Sequence, residues 1–309
     1  MASWQSFAVC TMLRFTMKRA GRKGIDVAKT RASMGTPRPQ VLAVPEGWKV
    51  GSLQVDGLTF ETTERASGPP LRDDLAVLYL HGGGYFFGSP QTHRQLALGM
   101  AKHCEAPVFS LDYRLAPEHR FPAALDDAVA AYLWLARTHP QRRIIVAGDS
   151  AGGGLALNTA LELRDRGAAI PAAVVTFSPW TDLACTGATI DTNGRHDAMF
   201  TTQAMRNAPA QYLGTHDPRD PRASPLYADL HKLPPLQIFA STHEVLLDDA
   251  TRFAAKARAA GVEVELHLVG GVPHVWPIFA RVLPEGRQSL RQVQDFVARV
   301  VPKAQQQAA

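Results

Sequence analysis

Cysteine is scarce in this 309-residue chain: Cys10, Cys104 and Cys185 are its only three, an odd number without metal-like spacing. Such a count excludes a disulfide framework and a thiolate metal centre, and it suits reduced thiols in the cytoplasm. No apolar run approaches the ~18 residues of a membrane span, so stable membrane insertion is not expected. Met1-Ala-Ser-Trp-Gln-Ser-Phe carries no basic segment, and Cys10 and Thr11 interrupt the weakly apolar Phe7–Leu13, so no secretory signal is expected. No internal repeat is visible. Charged residues are only 20% of the chain against 46% hydrophobic, the balance of a soluble globular protein. Part of the net charge of +5 lies in Arg14, Lys18, Arg19, Arg22, Lys23, Lys29 and Arg31. No aromatic-basic interleaving accompanies this run. It reads as a solvated helix face, and nucleic acid is not an expected partner.

What the chain does contain is alternation. Leu75–Leu80 (LAVLYL), Val108–Leu111, Ile144–Val146, Ala173–Phe177, Leu236–Ala240 and Val262–Leu268 read as strands, the continuous apolar runs being those covered on both faces. Between and after them, 90–104, 123–136, 245–260 and 287–301 read as helices. A hairpin is expected from 48–55 and 58–63 around Asp56-Gly57. The order predicts an α/β fold with a mostly parallel sheet and helices on both faces. Residues 1–40 look helical at first and loop-like through Thr36-Pro-Arg-Pro, with too little apolar area to fold alone. The stretch from 185 to 225 is irregular, with one expected helix near 201–213.

The organising stretch is 144–166, IIVAGDSAGGGLALNTALELRDR: strand, sharp turn, helix. Gly148-Asp149-Ser150-Ala151-Gly152 is the G-x-S-x-G pattern of a nucleophile elbow, in which the flanking glycines admit a strained serine backbone. A serine hydroxyl needs a base, and the base needs an orienting acid. The chain order that goes with this elbow is serine, acid, histidine. His274 lies just past the last strand in Gly270-Gly-Val-Pro-His-Val-Trp, at a strand's carboxyl end, where ligand chemistry collects in open α/β sheets. His196, His216, His231, His243 and His267 are less well placed. The acid should follow the Leu236–Ala240 strand. Glu244 is chosen there, with Asp248 as runner-up, because Asp248 and Asp249 fall in the next helix's first turns, where carboxylates suit the dipole. Oxyanion donors are expected from Ala151 and from the turn Gly82-Gly83-Gly84, which ends a buried strand.

His81-Gly82-Gly83-Gly84, the segment Asp112-Tyr-Arg-Leu-Ala-Pro-Glu with Phe121-Pro-Ala-Ala, and Gly148-Asp149-Ser150-Ala151-Gly152 together resemble the bacterial hormone-sensitive-lipase-like family of α/β-hydrolases, in its GDSAG branch. The resemblance covers roughly 45–300. It implies a serine carboxylesterase acting on short- to medium-chain acyl esters, without metal or cofactor, with Gly83, Gly84 and Ala151 as donors. It further implies a catalytic domain of 46–184 and 226–309, a helical cap of 1–45 and 185–225, and possible homodimers along the last strand's edge. One departure stands out: glutamate occupies the acid position where the family usually has aspartate. Tyr85, Trp180, Met199, Phe200, Tyr212 and Leu213 are candidate substrate-binding residues. His81 is expected to hydrogen-bond a loop, Asp149 to anchor the elbow or a subunit contact, and Asp112, Arg114 and Glu118 to form a buried or half-buried polar network under the glycine turn. The rival functions are a non-catalytic small-molecule receptor, a class whose plant members resemble the family but lack the base, and an amidase or acyltransferase using the same triad.

Overall fold

The computed structural model describes residues 2–19, 25–35, 37 and 39–303. Arg22 and Lys23 of the basic run, and Thr36 and Arg38 of the expected loop, lie outside the described residues. The strands are β1 (Trp48–Val55), β2 (Leu58–Arg65), β3 (Leu75–Leu80), β4 (Val108–Leu111), β5 (Arg143–Asp149), β6 (Ala173–Phe177), β7 (Leu236–Ser241) and β8 (Val264–Val269). They form one sheet in the order β1-β2-β4-β3-β5-β6-β7-β8. Pairing is parallel from β4 to β8 and antiparallel where β1 meets β2 and β2 meets β4.

Every residue of β3, β4, β6 and β7 is buried, as their unbroken apolar runs imply. Successive side chains feed opposite faces. Leu78, Leu80, Val146, Val174 and Ile238 join one apolar cluster with the helices Ala123–Thr138, Ala151–Asp165 and Leu247–Ala259. Val77, Tyr79, Ile145, Val175 and Phe239 join the other with the helices Pro90–Cys104 and Pro284–Val300. The helix Pro90–Cys104 starts on a reciprocal cap, Thr92 N donating to Ser89 Oγ and Ser89 N to Thr92 Oγ1.

Two expectations need adjustment. The single helix near 201–213 is two, Thr202–Asn207 and Pro209–Leu213, because proline cannot continue a helical hydrogen-bond ladder but opens a new helix well. The last helix begins at Pro284, not Arg287, for the same reason.

The N-terminal helix Trp4–Leu13 continues into a π-helical turn, Arg14–Lys18. Its inner face binds the molecule through polar contacts: Ser6 Oγ donates to Gly271 O at 2.7 Å, and Ser3 N and Oγ donate to the Glu285 carboxylate. Its outer face exposes Trp4, Phe7 and Phe15, each more than two thirds accessible. A second helix, Val27–Met34, is fastened by Arg31, which bonds Phe86 O, Ala116 O and Glu118.

Candidate active site

Ser150 stands between the end of β5 and the helix Ala151–Asp165, with φ 53° and ψ −120°. That backbone is strained for an L-residue and is held from several sides. Ser150 N donates to Phe177 O at 2.9 Å, while Trp180 N and Gly154 N donate to Ser150 O at 2.9 and 3.1 Å. The turn closes only because its neighbours lack side chains. A Cβ on Gly148 would meet Gly152 O at 2.2 Å, and one on Gly152 would meet Leu80 O at 2.1 Å.

The acid and the imidazole come from the ends of the last two strands, β7 and β8. Glu244 follows β7, where its Oε1 accepts from Ser241 N at 2.8 Å. Its Oε2 lies 2.5 Å from His274 Nδ1. Both side chains are buried, and His274 Nε2 is buried without a partner among the described residues. The His274 loop is pinned by Ser241 Oγ donating to Val272 O and by Val275 N donating to Ser178 Oγ. Burial disfavours the imidazolium, but the Glu244 carboxylate, helped by Asp197 and Asp149, outweighs it and holds the His274 pKa above its ordinary value. No hydrogen bond joins Ser150 to His274; such contacts often tighten only with substrate bound. Asp248 is engaged elsewhere, accepting from Thr189 N, and Asp249 from Thr181 N and Asp182 N.

The glycine turn departs from expectation at one residue. Gly82 N donates to Asp149 Oδ1 at 3.1 Å, so this N–H is committed and Gly82 is withdrawn as an oxyanion donor. A Cβ there would lie 2.2 Å from Asp149 Oδ2, which makes its role close packing on the elbow. Gly83 and Gly84 take positive φ, 120° and 60°, and among the described residues their N–H groups and that of Ala151 carry no hydrogen bond. Asp149 also accepts from Tyr79 Oη at 2.5 Å and faces His93 Nε2 at 3.4 Å, so it anchors the elbow.

Residues 77–278, well over half of the chain and including all of these groups, match the model of the alpha/beta hydrolase fold family. An acetyl-hydrolase of Streptomyces hygroscopicus is 45% identical over 72% of this chain and 75% of its own length. An esterase of Acinetobacter venetianus is 37% identical over 71% and 73%. Among solved structures, an esterase from the bacterial hormone-sensitive lipase family superposes with a TM-score of 0.89 at 39% identity, covering 97% of this chain and 99% of that one. The structure of EstE5 soaked with p-nitrophenyl butyrate gives 0.88 at 36%, with the same coverage.

The chain belongs to the α/β-hydrolases, in the bacterial hormone-sensitive lipase family.

The remaining candidate residues of this α/β-hydrolase fall into groups. Phe200 packs edge-on against the His274 ring, centroids 5.0 Å apart. Met199 packs instead with Cys10 and Leu13 of the N-terminal helix. Tyr85 stacks on Tyr212 at 3.9 Å and leans on Trp180 at 6.3 Å, so the three form one buried aromatic column behind the glycine turn. Leu213 borders a cavity of about 310 Å³ with Leu183, Cys185, Pro209 and His216, which neither Ser150, Glu244 nor His274 lines. His81 Nδ1 contacts Gly82 O at 2.8 Å, and burial pushes its pKa down to about 3, so the ring stays neutral.

The expected network of Asp112, Arg114 and Glu118 is not there. All three residues are exposed: Arg114 pairs with Asp127, and Glu118 pairs with Arg31. Charged groups keep more hydration at the surface than under a loop, and the floor is built by Tyr113. Its ring stacks on His81 at 4.2 Å, and its hydroxyl donates to His81 O at 2.6 Å. Tyr113 sits inside the DYRLAPE segment, so its apolar body between two charges was an available signal. Asp197 and Asn193, which reach the Glu244 loop, had none.

Proposed function

We propose that this α/β-hydrolase is a serine carboxylesterase for short- to medium-chain acyl esters, with Ser150 as nucleophile, His274 as general base and Glu244 as its partner acid. One observation carries the reading: Glu244 occupies one nitrogen of His274 at 2.5 Å, and the other is buried without a partner among the described residues. Esterase and acetyl-hydrolase relatives support the ester class.

Ser150 Oγ attacks the ester carbonyl carbon while His274 Nε2 takes the hydroxyl proton. The carbonyl oxygen becomes an anion, and the unengaged N–H groups of Gly83, Gly84 and Ala151 receive it. Collapse expels the alcohol, which leaves with the proton from His274. Water, deprotonated by His274, then attacks the acyl-serine, and His274 passes that proton to Ser150 Oγ as the carboxylic acid leaves. Glu244 balances the charge on the imidazolium in both halves.

The reading extends to organisation. Residues 46–184 and 226–309 form the catalytic body, and 1–45 with 185–225 form the cap. Lys18 Nζ donates to Asp197 O and Arg195 O, a contact that supports pairing the two cap segments. Phe200 is assigned to the substrate-facing wall, with the buried Tyr85 column backing the site. A cytoplasmic location is supported by three buried cysteines outside any disulfide. Among the described residues no helix is long and apolar enough to cross a membrane. The outer edge of β8, where Leu268 is exposed, is assigned to homodimer pairing.

Ser150→Ala should reduce hydrolysis of p-nitrophenyl butyrate by roughly 10⁴-fold or more, and a fluorophosphonate should label the wild type at Ser150 alone. Turnover by the variant at the wild-type rate would refute the assignment, and an unlabelled, inactive wild type would favour the receptor.

A further inference from the structure

We propose that Asp197, in the 185–225 insertion, is a positioning residue for ester hydrolysis: it fixes the peptide beside Glu244, lays Phe200 on His274 and turns a second negative charge toward the imidazole. The inference rests on the esterase reading above.

Asp197 is 1% exposed and its carboxylate is fully used by backbone donors. Oδ1 accepts from Met199 N at 2.6 Å and Phe200 N at 2.9 Å. Oδ2 crosses to the loop after β7 and accepts from Val245 N at 2.9 Å. Two neighbours in the insertion hold the same place. Asn193 Nδ2 donates to Glu244 O at 2.9 Å and to Thr242 O at 3.2 Å, and Thr189 Oγ1 donates to Val245 O at 2.9 Å. Both backbone groups of Val245 and the carbonyl of Glu244 are therefore gripped from the insertion. A free loop would let the Glu244 carboxylate wander, whereas a short bond to His274 needs it placed within about 0.5 Å.

The second consequence is electrostatic. The ionisable groups that face His274 are Glu244 from the loop after β7, Asp197 from the insertion and Asp149 from the end of β5. Glu244 touches the ring, and Asp197 adds to the field that favours the imidazolium. Burial holds the Asp197 carboxyl above its ordinary value, and the imidazolium and the three N–H groups offset that only in part. The same side chain that fixes geometry thus also stabilises the charge that forms on His274 in the transition state.

The test compares pH profiles of p-nitrophenyl butyrate hydrolysis for the full chain and two variants. Asp197→Asn should lower kcat about tenfold or more with KM within about threefold, and should move the acid limb of kcat/KM to lower pH by roughly half a unit, because a negative charge facing His274 is gone. Asn193→Ala removes a tie without removing charge, so kcat should fall and the limb should stay in place. A residue that served folding alone would leave the limb unmoved in both. Should Asp197→Asn not fold, Asn193→Ala and Thr189→Val still loosen the peptide, and kcat within twofold of the wild type in both would overturn the proposal. An active wild type with an unmoved limb in Asp197→Asn overturns it alone. A wild type without turnover overturns the esterase reading and this proposal together.

Discussion

The two nitrogens of His274 are in opposite situations, and that asymmetry is the basis of the proposed chemistry at the residue scale. Nδ1 is committed to Glu244 and Nε2 is open. Glu244→Gln should therefore cost roughly 10²-fold or more in kcat, since the amide cannot balance an imidazolium. Asp248→Asn, whose carboxylate only caps Thr189, should stay within about threefold; steady-state kinetics on the two variants would decide, and the reverse order would move the acid to Asp248. The pH dependence follows from the raised His274 pKa. A base must be unprotonated to act, and a raised pKa keeps it protonated to higher pH. The acid limb of kcat/KM should thus lie above the ordinary histidine value of about 6.5. Ser150, Glu244 and His274 were legible in the sequence as a candidate set because motif, chain order and strand ends all converge on them. Gly82 was misread because spacing cannot tell that Asp149 already holds its N–H. Asp197 was missed because an isolated aspartate in an irregular stretch looks like any other surface charge.

At the scale of elements, the strand-turn-helix around Ser150 works by steric exclusion. Gly148 and Gly152 touch backbone where any Cβ would sit, so the conformation at Ser150 is enforced by neighbours that have nothing to push with. Gly152→Ala should destabilise the protein by about 2 kcal/mol or more, read from urea unfolding, as backbone rather than a flexible side chain must give way. Activity in whatever folds should fall further than stability explains, because Ser150 and the Ala151 N–H move together. Strand reading succeeded where apolar runs are unbroken: β3, β4 and β6 run over the expected residues. It was weaker at element ends. β5 extends to Asp149 although charged and small residues end its apolar run, because tertiary bonds from Tyr79 and Gly82 pay for burying that carboxylate. The antiparallel joint of β2 with β4 is a pairing that periodicity alone does not reveal.

For the molecule as a whole, two apolar clusters back the sheet, and the N-terminal helix adds to them only at its margin, through Val9. It holds on by hydrogen bonds through Ser3 and Ser6 and by a small apolar patch of Val9, Cys10 and Leu13, while its aromatic residues face solvent. Trp4→Ser or Phe7→Ser should change the unfolding free energy by less than about 0.5 kcal/mol. Phe253→Ala, in the fully buried interior, should cost about 3–5 kcal/mol, both by thermal or denaturant melts. The attachment of residues 1–40 to other parts was readable in outline, since their apolar area is too small for a separate core; the partners they bond were not, because polar contacts leave no periodicity.

The order in which the three strand ends deliver their side chains carries a consequence for synthesis. The hydroxyl of Ser150 is made long before its carboxylate, and the imidazole arrives last. A growing chain on the ribosome therefore cannot bring all three groups together before residue 274 has been added.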